Sequence, residues 1–225
     1  MPASAKDVWA PGPQRPRLAP GAVHVWRADL TKLSPGLAEL LSEDERGRGE
    51  RILNKREGEL WRRSRGLLRE LLGRYLELEP ASLRFAVGEH GKPALDHDPL
   101  PFNMSHSGQL ALYAFSDAGA VGVDVEVVRR PIDEVAIAAR MLGKGEADRL
   151  QTLDPDSRRR EFLRAWARHE AELKCLGVGV GGDDAQAEHA ERKPSVVDLE
   201  LGSSAGAAVA TEHDAHELRC WDWPQ

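Results

Sequence analysis

Long apolar runs are missing from this 225-residue chain, and so is any cysteine pattern. No segment approaches the roughly 18 consecutive apolar residues of a membrane-spanning helix. The start, "MPASAKDVWAPGPQRPRLAP", lacks the apolar centre of a secretory leader. A cytoplasmic chain is therefore the expectation, with residues 1–20 loosely ordered ahead of the first strand. The two cysteines, Cys175 and Cys220, are spaced neither as a metal-binding pair nor as a disulfide framework. Aromatic residues make up 5%, although six of them are Trp, and there is no excess of positive charge: the formal net charge is -6. A nucleic-acid duplex is an unsuitable partner for such a chain.

The charge that is present is unevenly placed. Residues 46–74 hold ten Lys or Arg against four acids. A basic field inside an acidic protein suits a small polyanion better than a long one, and the same arginines equally fit a solvated helical face. The segment "LSEDERGRGERILNKREGELWRRSRGLLRELLGRYLEL" reads as two helices or one bent one. Ser42 and Glu45 make a capping box at its start, and Leu60, Trp61, Leu67, Leu68, Leu71, Leu72 and Tyr75 form an apolar stripe.

Strand patterns flank this helical region. "AVHVW" precedes it and "SLRFAV" follows, and "LALYAFS" and "AVGVDVEVV" read as an antiparallel pair joined at "DAGA". Residues 131–150 and 155–177 read as helical. Three short strand candidates, "SVVDLEL", "AAVATE" and "ELRCWDW", fill the tail. This order predicts an α+β architecture in two similar halves, over residues 21–118 and 119–225.

Within "VGVDVEVV" (residues 121–128), the valines at 121, 123, 125 and 127 share one face, and Asp124 and Glu126 share the other. Their origins lie about 7 Å apart, close enough for two carboxylates to converge on one cation. An isolated pair of this kind more often points into water. In residues 155–177 the apolar stripe is Phe162, Leu163, Trp166, Leu173 and Leu176. Glu170 lies inside its edge, on one face with Trp166 and Lys174. A carboxylate there needs a positive partner. Either Lys174, one turn on, supplies it, or a metal shared with Asp124 and Glu126 does. "FNMSHSG" adds Ser105 and His106, and "GKP" adds Lys92 on a turn. Each is a reasonable phosphate partner and each is weak alone.

In that order, "GKPAL", "FNMSHSG", "VGVDVEVV" and "WARHEAELKCLGVGV" resemble the patterns of the 4′-phosphopantetheinyl transferases, in their long, pseudo-dimeric type. The resemblance covers roughly residues 40 to 180. It implies two halves related by a pseudo-twofold axis, with an active site at their interface and a monomeric chain. It also implies transfer of the phosphopantetheine arm of coenzyme A to a serine of an acyl or peptidyl carrier protein, releasing 3′,5′-ADP. Carried over by motif, Asp124, Glu126 and Glu170 would hold Mg²⁺, or Mn²⁺ in its place. Glu170 would double as the base, and Lys174 would contact the diphosphate. Lys92, Ser105, His106 and Arg48 would bind the nucleotide's phosphates, with Arg46, Arg51 and Arg65 as further candidates.

Two departures accompany the match. His169 stands where the family has a lysine, and the chain stops at "CWDWPQ", short of a further strand, which predicts an edge of the second half's sheet that is open or covered otherwise. Both departures leave room for a non-catalytic relative that binds coenzyme A or a carrier. A metal-dependent phosphohydrolase is a third reading, and no His or Asp cluster of the two-metal kind supports it.

Overall fold

The computed structural model describes residues 9–87, 93–96, 100–127, 131–178 and 193–224. The first long strand alternates its burial between two partners. In β2 (Ala22–Asp29), Trp26 and Ala28 pack with helix leucines, while Val23 and Val25 pack with valines of a second sheet. The same division runs through β6 (Leu110–Ser116), where Ala111, Tyr113 and Phe115 face the helix and Leu112 and Ala114 face the other sheet. A period-2 strand buried on both faces reads as a nearly continuous apolar run, as "LALYAF" does.

These strands belong to a five-stranded sheet in the order β1-β10-β2-β6-β5, with β1 at Ala10–Pro11, β5 at Phe102–Ser107 and β10 at Glu217–Asp222. Helices α1 (Glu43–Glu50) and α2 (Lys55–Leu76) lie before β5 in sequence, and α2 covers one face with Leu67, Leu68, Leu71 and Leu72. Ser42 and Glu45 form the expected capping box on α1. A short antiparallel pair, β3 (Phe85–Val87) with β4 (Pro93–Leu95), follows α2.

A three-stranded antiparallel sheet covers the other face, in the order β7-β9-β8, with β7 at Val121–Val127, β8 at Ser195–Asp198 and β9 at Ala205–Thr211. Val121, Val123 and Val125 meet Val23, Val25, Leu112 and Ala114 in the core between the sheets. Helices α3 (Glu134–Met141) and α4 (Lys144–Gln151) come next, and α5 (Pro155–Leu176) lies over β7 and β9 on the outer side. The resulting layers are α2, five strands, three strands and α5.

Four expectations are corrected. β6 and β7 are not a hairpin: "DAGA" carries the chain from one sheet to the other, so β6 pairs with β2 and β5, and β7 pairs with β9. The last strand, β10, is not in the second sheet; it runs parallel to β2 in the first. Residues 9–12 are not loose, because Ala10 and Pro11 add to the β10 edge and the Trp9 indole donates to the Glu200 carbonyl. In α5, Leu173 and Leu176 are only half-buried. Ala167, Ala171 and Cys175 make the contact instead, since the helix lies too close to the sheet for larger side chains.

Candidate active site

The edge of β7 meets the edge of β5 through side chains rather than through a backbone ladder. Asn103 Oδ1 accepts the amide of Val123 at 2.9 Å, and Ser107 Oγ accepts the amide of Val127 at 3.1 Å. Residues 103, 105 and 107 alternate onto this seam, which is why "FNMSHS" carries a polar residue at every second position. The seam also covers the β7 edge of the second sheet. The same register sets the acids. Ser105 Oγ donates to Asp124 Oδ1 at 2.7 Å, and Ser107 Oγ donates to Glu126 Oε2 at 3.0 Å. Neither residue of the D-x-E pair follows the water-facing alternative: Asp124 is 2% exposed and Glu126 is half-buried.

What covers that face is α5. A Cβ on Gly122 would stand 2.1 Å from the Ala171 carbonyl oxygen and 2.4 Å from the Cys175 amide nitrogen, and Gly206 meets the Leu163 backbone as tightly. Only glycine permits this approach. It brings Glu170 and Lys174 over Asp124. Lys174 Nζ donates to Asp124 Oδ1 at 2.6 Å and to Ser105 Oγ at 3.2 Å.

Among the described residues, two buried carboxylate oxygens are left without a hydrogen-bond partner, Asp124 Oδ2 and Glu170 Oε1. Burial, then the neighbouring Asp124 and Glu126 carboxylates, push the Glu170 carboxyl above its ordinary range, with Lys174 opposing. The two unmet oxygens are hard donors, which suits a small divalent cation. Among the described residues, no three His, Cys, Asp or Glu side chains stand together as a finished ligand cage. Lys174 is the cation that Asp124 holds in this arrangement.

From this cluster a cavity of about 640 Å³ extends toward α1 and α2, its wall including Arg48, Arg65, Arg69, Arg84, His106 and Lys174. Trp61, Phe85 and Met104 supply apolar surface, and the Arg48 guanidinium lies 5.6 Å from the centre of the Trp61 ring. Burial alone would raise the Glu45 carboxyl. Hydrogen bonds from Arg65, Arg69 and the Ser42 amide hold it below its usual range instead. On the far side of His106 lies a second, mainly apolar groove of about 460 Å³, lined by Glu126, Ile137, Phe162 and Trp166 among others. His106 therefore stands at the junction of the two spaces.

The structure thus gathers Ser105, His106, Asp124, Glu126, Glu170, Lys174 and Arg48 around one connected region. Lys92 lies outside the described residues. Arg46 and Arg51 are not in the cavity wall, whereas Arg65 is. His169, the departure from the motif, lines a separate surface groove with Arg149 and Asp198, away from Lys174. Asn103 and Ser107 as edge caps, and Trp61, Phe85 and Arg84 as cavity wall, escaped the sequence reading. The i, i+2, i+4 polar pattern of residues 103–107 was a signal for the caps, and the cavity wall left none.

Comparison with known proteins shows the family of the chain. A family model described as the 4′-phosphopantetheinyl transferase superfamily matches residues 120–220, the stretch that carries Asp124, Glu126, Glu170 and Lys174. The chain is 34% identical over 182 residues to the 4′-phosphopantetheinyl transferase HetI of Nostoc sp., covering 78% of this chain and 77% of that one. It is 34% identical over 115 residues to the 4′-phosphopantetheinyl transferase Sfp of Bacillus subtilis (51% and 50%). Identity is 36% over 120 residues to AcpT of Escherichia coli, also named a 4′-phosphopantetheinyl transferase (53% and 58%).

Proposed function

The chain belongs to the 4′-phosphopantetheinyl transferase superfamily, and from that premise we propose that it moves the phosphopantetheine arm of coenzyme A onto a serine hydroxyl of an apo acyl or peptidyl carrier protein. The observation that supports this best is the meeting of Ser105, Asp124, Glu170 and Lys174 where the basic cavity reaches the seam between the sheets.

The cavity's arginines, with His106 and Ser105, bind the nucleotide's phosphates, whose charge demands several cations in one cleft. Lys174 exchanges Asp124 for the diphosphate when coenzyme A enters. Asp124, Glu126 and Glu170 are the residues that would hold Mg²⁺, or Mn²⁺ in its place. Bound there, the ion would neutralise charge developing on the leaving phosphate. Glu170, made more basic by burial and by its acidic neighbours, is placed to take the serine proton. The serine oxygen bonds to the phosphorus that carries pantetheine, the bond to the other phosphate breaks, and 3′,5′-ADP departs. The apolar groove beyond His106 suits the pantetheine arm, which carries no ionised group.

We read the α2-backed and α5-backed layers as two halves related by a pseudo-twofold axis. A single chain then supplies both walls of the site and acts as a monomer in the cytoplasm. No helix among the described residues is long and apolar enough to cross a membrane. The test is incubation with coenzyme A, Mg²⁺ and apo carrier proteins of the acyl and peptidyl kinds, followed by intact-mass measurement. A carrier gain of one phosphopantetheine is expected. No gain on any carrier, with coenzyme A binding intact, would favour the non-catalytic relative.

A further inference from the structure

Ser107 closes a ring on β7. Its Oγ accepts the amide of Val127 at 3.1 Å and donates to Glu126 Oε2 at 3.0 Å, so one hydroxyl holds both the Glu126 side chain and the backbone that follows it. A serine hydroxyl has a single proton. The amide takes a lone pair, and that proton is left for the carboxylate. At 7% exposure, Ser107 is also shielded from water that would compete for either bond.

Glu126 gains a fixed direction from this ring. A glutamate carboxylate swings on three side-chain torsions, and closing it back onto its own strand restricts all of them. Held this way, its charge acts after burial and Asp124 in raising the Glu170 carboxyl, with Lys174 opposing, so the acids stand in one field. A group that hydrogen-bonds to a cation's ligand fixes the ligand's orientation and tunes its donor strength.

Asn103, at the other end of the same β5 row, supplies a comparison within the fold. Its Oδ1 accepts the Val123 amide at 2.9 Å and the residue is 5% exposed, but among the described residues it bonds to none of the acids. Both side chains join β5 to β7, and of the two only Ser107 also holds a carboxylate.

We propose that Ser107 is a positioning residue for the divalent cation, holding Glu126 in the orientation that makes it a ligand. Asn103 serves the seam alone, and Ser107 itself touches neither the ion nor coenzyme A. The inference rests on the transferase reading above, in which Asp124, Glu126 and Glu170 hold Mg²⁺ or Mn²⁺.

Mn²⁺ is the probe. The electron paramagnetic resonance signal of the free ion is titrated against the full chain with saturating coenzyme A and no carrier, and coenzyme A alone is the blank. This reads affinity without turnover. Ser107→Ala should weaken Mn²⁺ binding about tenfold to a hundredfold. Ser107→Thr, which keeps the hydroxyl, should restore most of the loss. Asn103→Ala leaves the Val123 amide unmet and should lower the melting temperature, with the Mn²⁺ affinity of the wild type. A merely structural role for Ser107 would give the Asn103 pattern. If Ser107→Ala fails to fold, as a melting curve would reveal, Ser107→Cys carries the comparison, since a thiol fills the space and makes only weak hydrogen bonds.

Wild-type Mn²⁺ affinity in the Ser107 variant overturns the inference, and so does an equal loss in Asn103→Ala. A wild type that binds no Mn²⁺ overturns it too, and removes the metal from the transferase reading as well. A wild type whose Mn²⁺ affinity depends on Ser107 but which modifies no carrier leaves the inference standing and removes the transferase reading.

Discussion

Lys174 Nζ lies 2.6 Å from Asp124 Oδ1, so a lysine from α5 closes on a carboxylate from β7 across the packed face of the second sheet. Asp124 is 3% exposed at its side chain and Lys174 29%. One end of the pair is inside the protein and the other reaches the cavity. A buried carboxylate of this kind is stabilised only by what meets it. Asp124 Oδ2 and Glu170 Oε1 remain unmet, and this asymmetry motivates the first two predictions.

Glu170→Gln should lose activity and keep, or gain, stability. The amide is uncharged, so it removes the desolvation penalty of a buried carboxylate beside Asp124. It cannot take the serine proton and is a poorer cation ligand. We expect transfer to fall at least roughly a hundredfold, with a melting temperature at or above that of the wild type. Carrier mass gain and thermal melting measure the two halves. Asp124→Ala should lose transfer to a similar extent. Wild-type rates in either variant would show that the cluster is not the reacting centre.

Lys174→Met takes away the positive charge that Asp124 holds and leaves an uncompensated buried acid. A destabilisation of about 3 kcal/mol is expected, in the range for breaking one side of a buried pair. A divalent cation should restore part of it. Mg²⁺ without any coenzyme A should therefore raise the melting temperature of Lys174→Met more than that of the wild type, where the lysine competes for Asp124. Equal shifts in the two proteins would remove the idea that lysine and metal share Asp124.

How much of this was legible depended on whether a residue's partner is near in sequence. The capping box of Ser42 and Glu45 and the stripe of Leu67, Leu68, Leu71 and Leu72 are set within one or two helical turns, and both appear as read. The period-2 split of β7 placed Asp124 and Glu126 on a common face. It did not reveal that α5 covers that face, because this depends on Gly122 and Gly206 meeting a helix about 50 and 40 residues away in the chain. Glu45 is the clearest case. Its role as an N-terminal cap is local, while its grip on Arg65 and Arg69 exists only once α1 lies on α2. The sequence therefore left the arginines between a polyanion site and a solvated face, and did not show that two of them point inward. β10 was misplaced for the same reason, since nothing in "ELRCWDW" distinguishes pairing with β2 from pairing with β9.

His24 gives the fold an acid limit. It is 2% exposed on β2, with Nδ1 2.8 Å from the Tyr75 hydroxyl and its ring 4.3 Å from that of Trp221. Burial first, and then Arg219, lower its pKa to about 4, with Glu217 opposing. The unfolded chain takes up this proton near pH 6.5 and the folded chain only near 4, so between those values the unfolded state binds more protons. Stability from this residue is complete above pH 6.5 and declines as the pH falls toward 4, by about 3 kcal/mol in all. Chemical denaturation across that window should show the slope, and His24→Gln should flatten it. An unchanged slope in the variant would assign the acid sensitivity elsewhere.

Gly122→Ala tests whether the site depends on how closely α5 approaches β7. The added methyl would meet the Ala171 carbonyl oxygen at 2.1 Å and the Cys175 amide nitrogen at 2.4 Å. Both are backbone atoms, so no side chain can rotate away, and the helix itself must shift. Overpacking of this kind costs about 1–3 kcal/mol. Glu170 and Lys174 lie on the turn of α5 that is displaced, so their distances to Asp124 lengthen with it. Displacements near 1 Å at a reacting centre can cost about a hundredfold in rate. Transfer should therefore fall by far more than the lost stability explains, at temperatures where the variant is fully folded. Ala210 offers the contrast: it packs against α5 from β9, on the strand that carries none of the acids. Ala210→Gly should loosen the same helix contact, lower the melting temperature, and leave the rate within about threefold. If the two substitutions reduced transfer equally at matched stability, the rate would be following the packing of α5 as a whole and not the distance between Asp124 and Glu170.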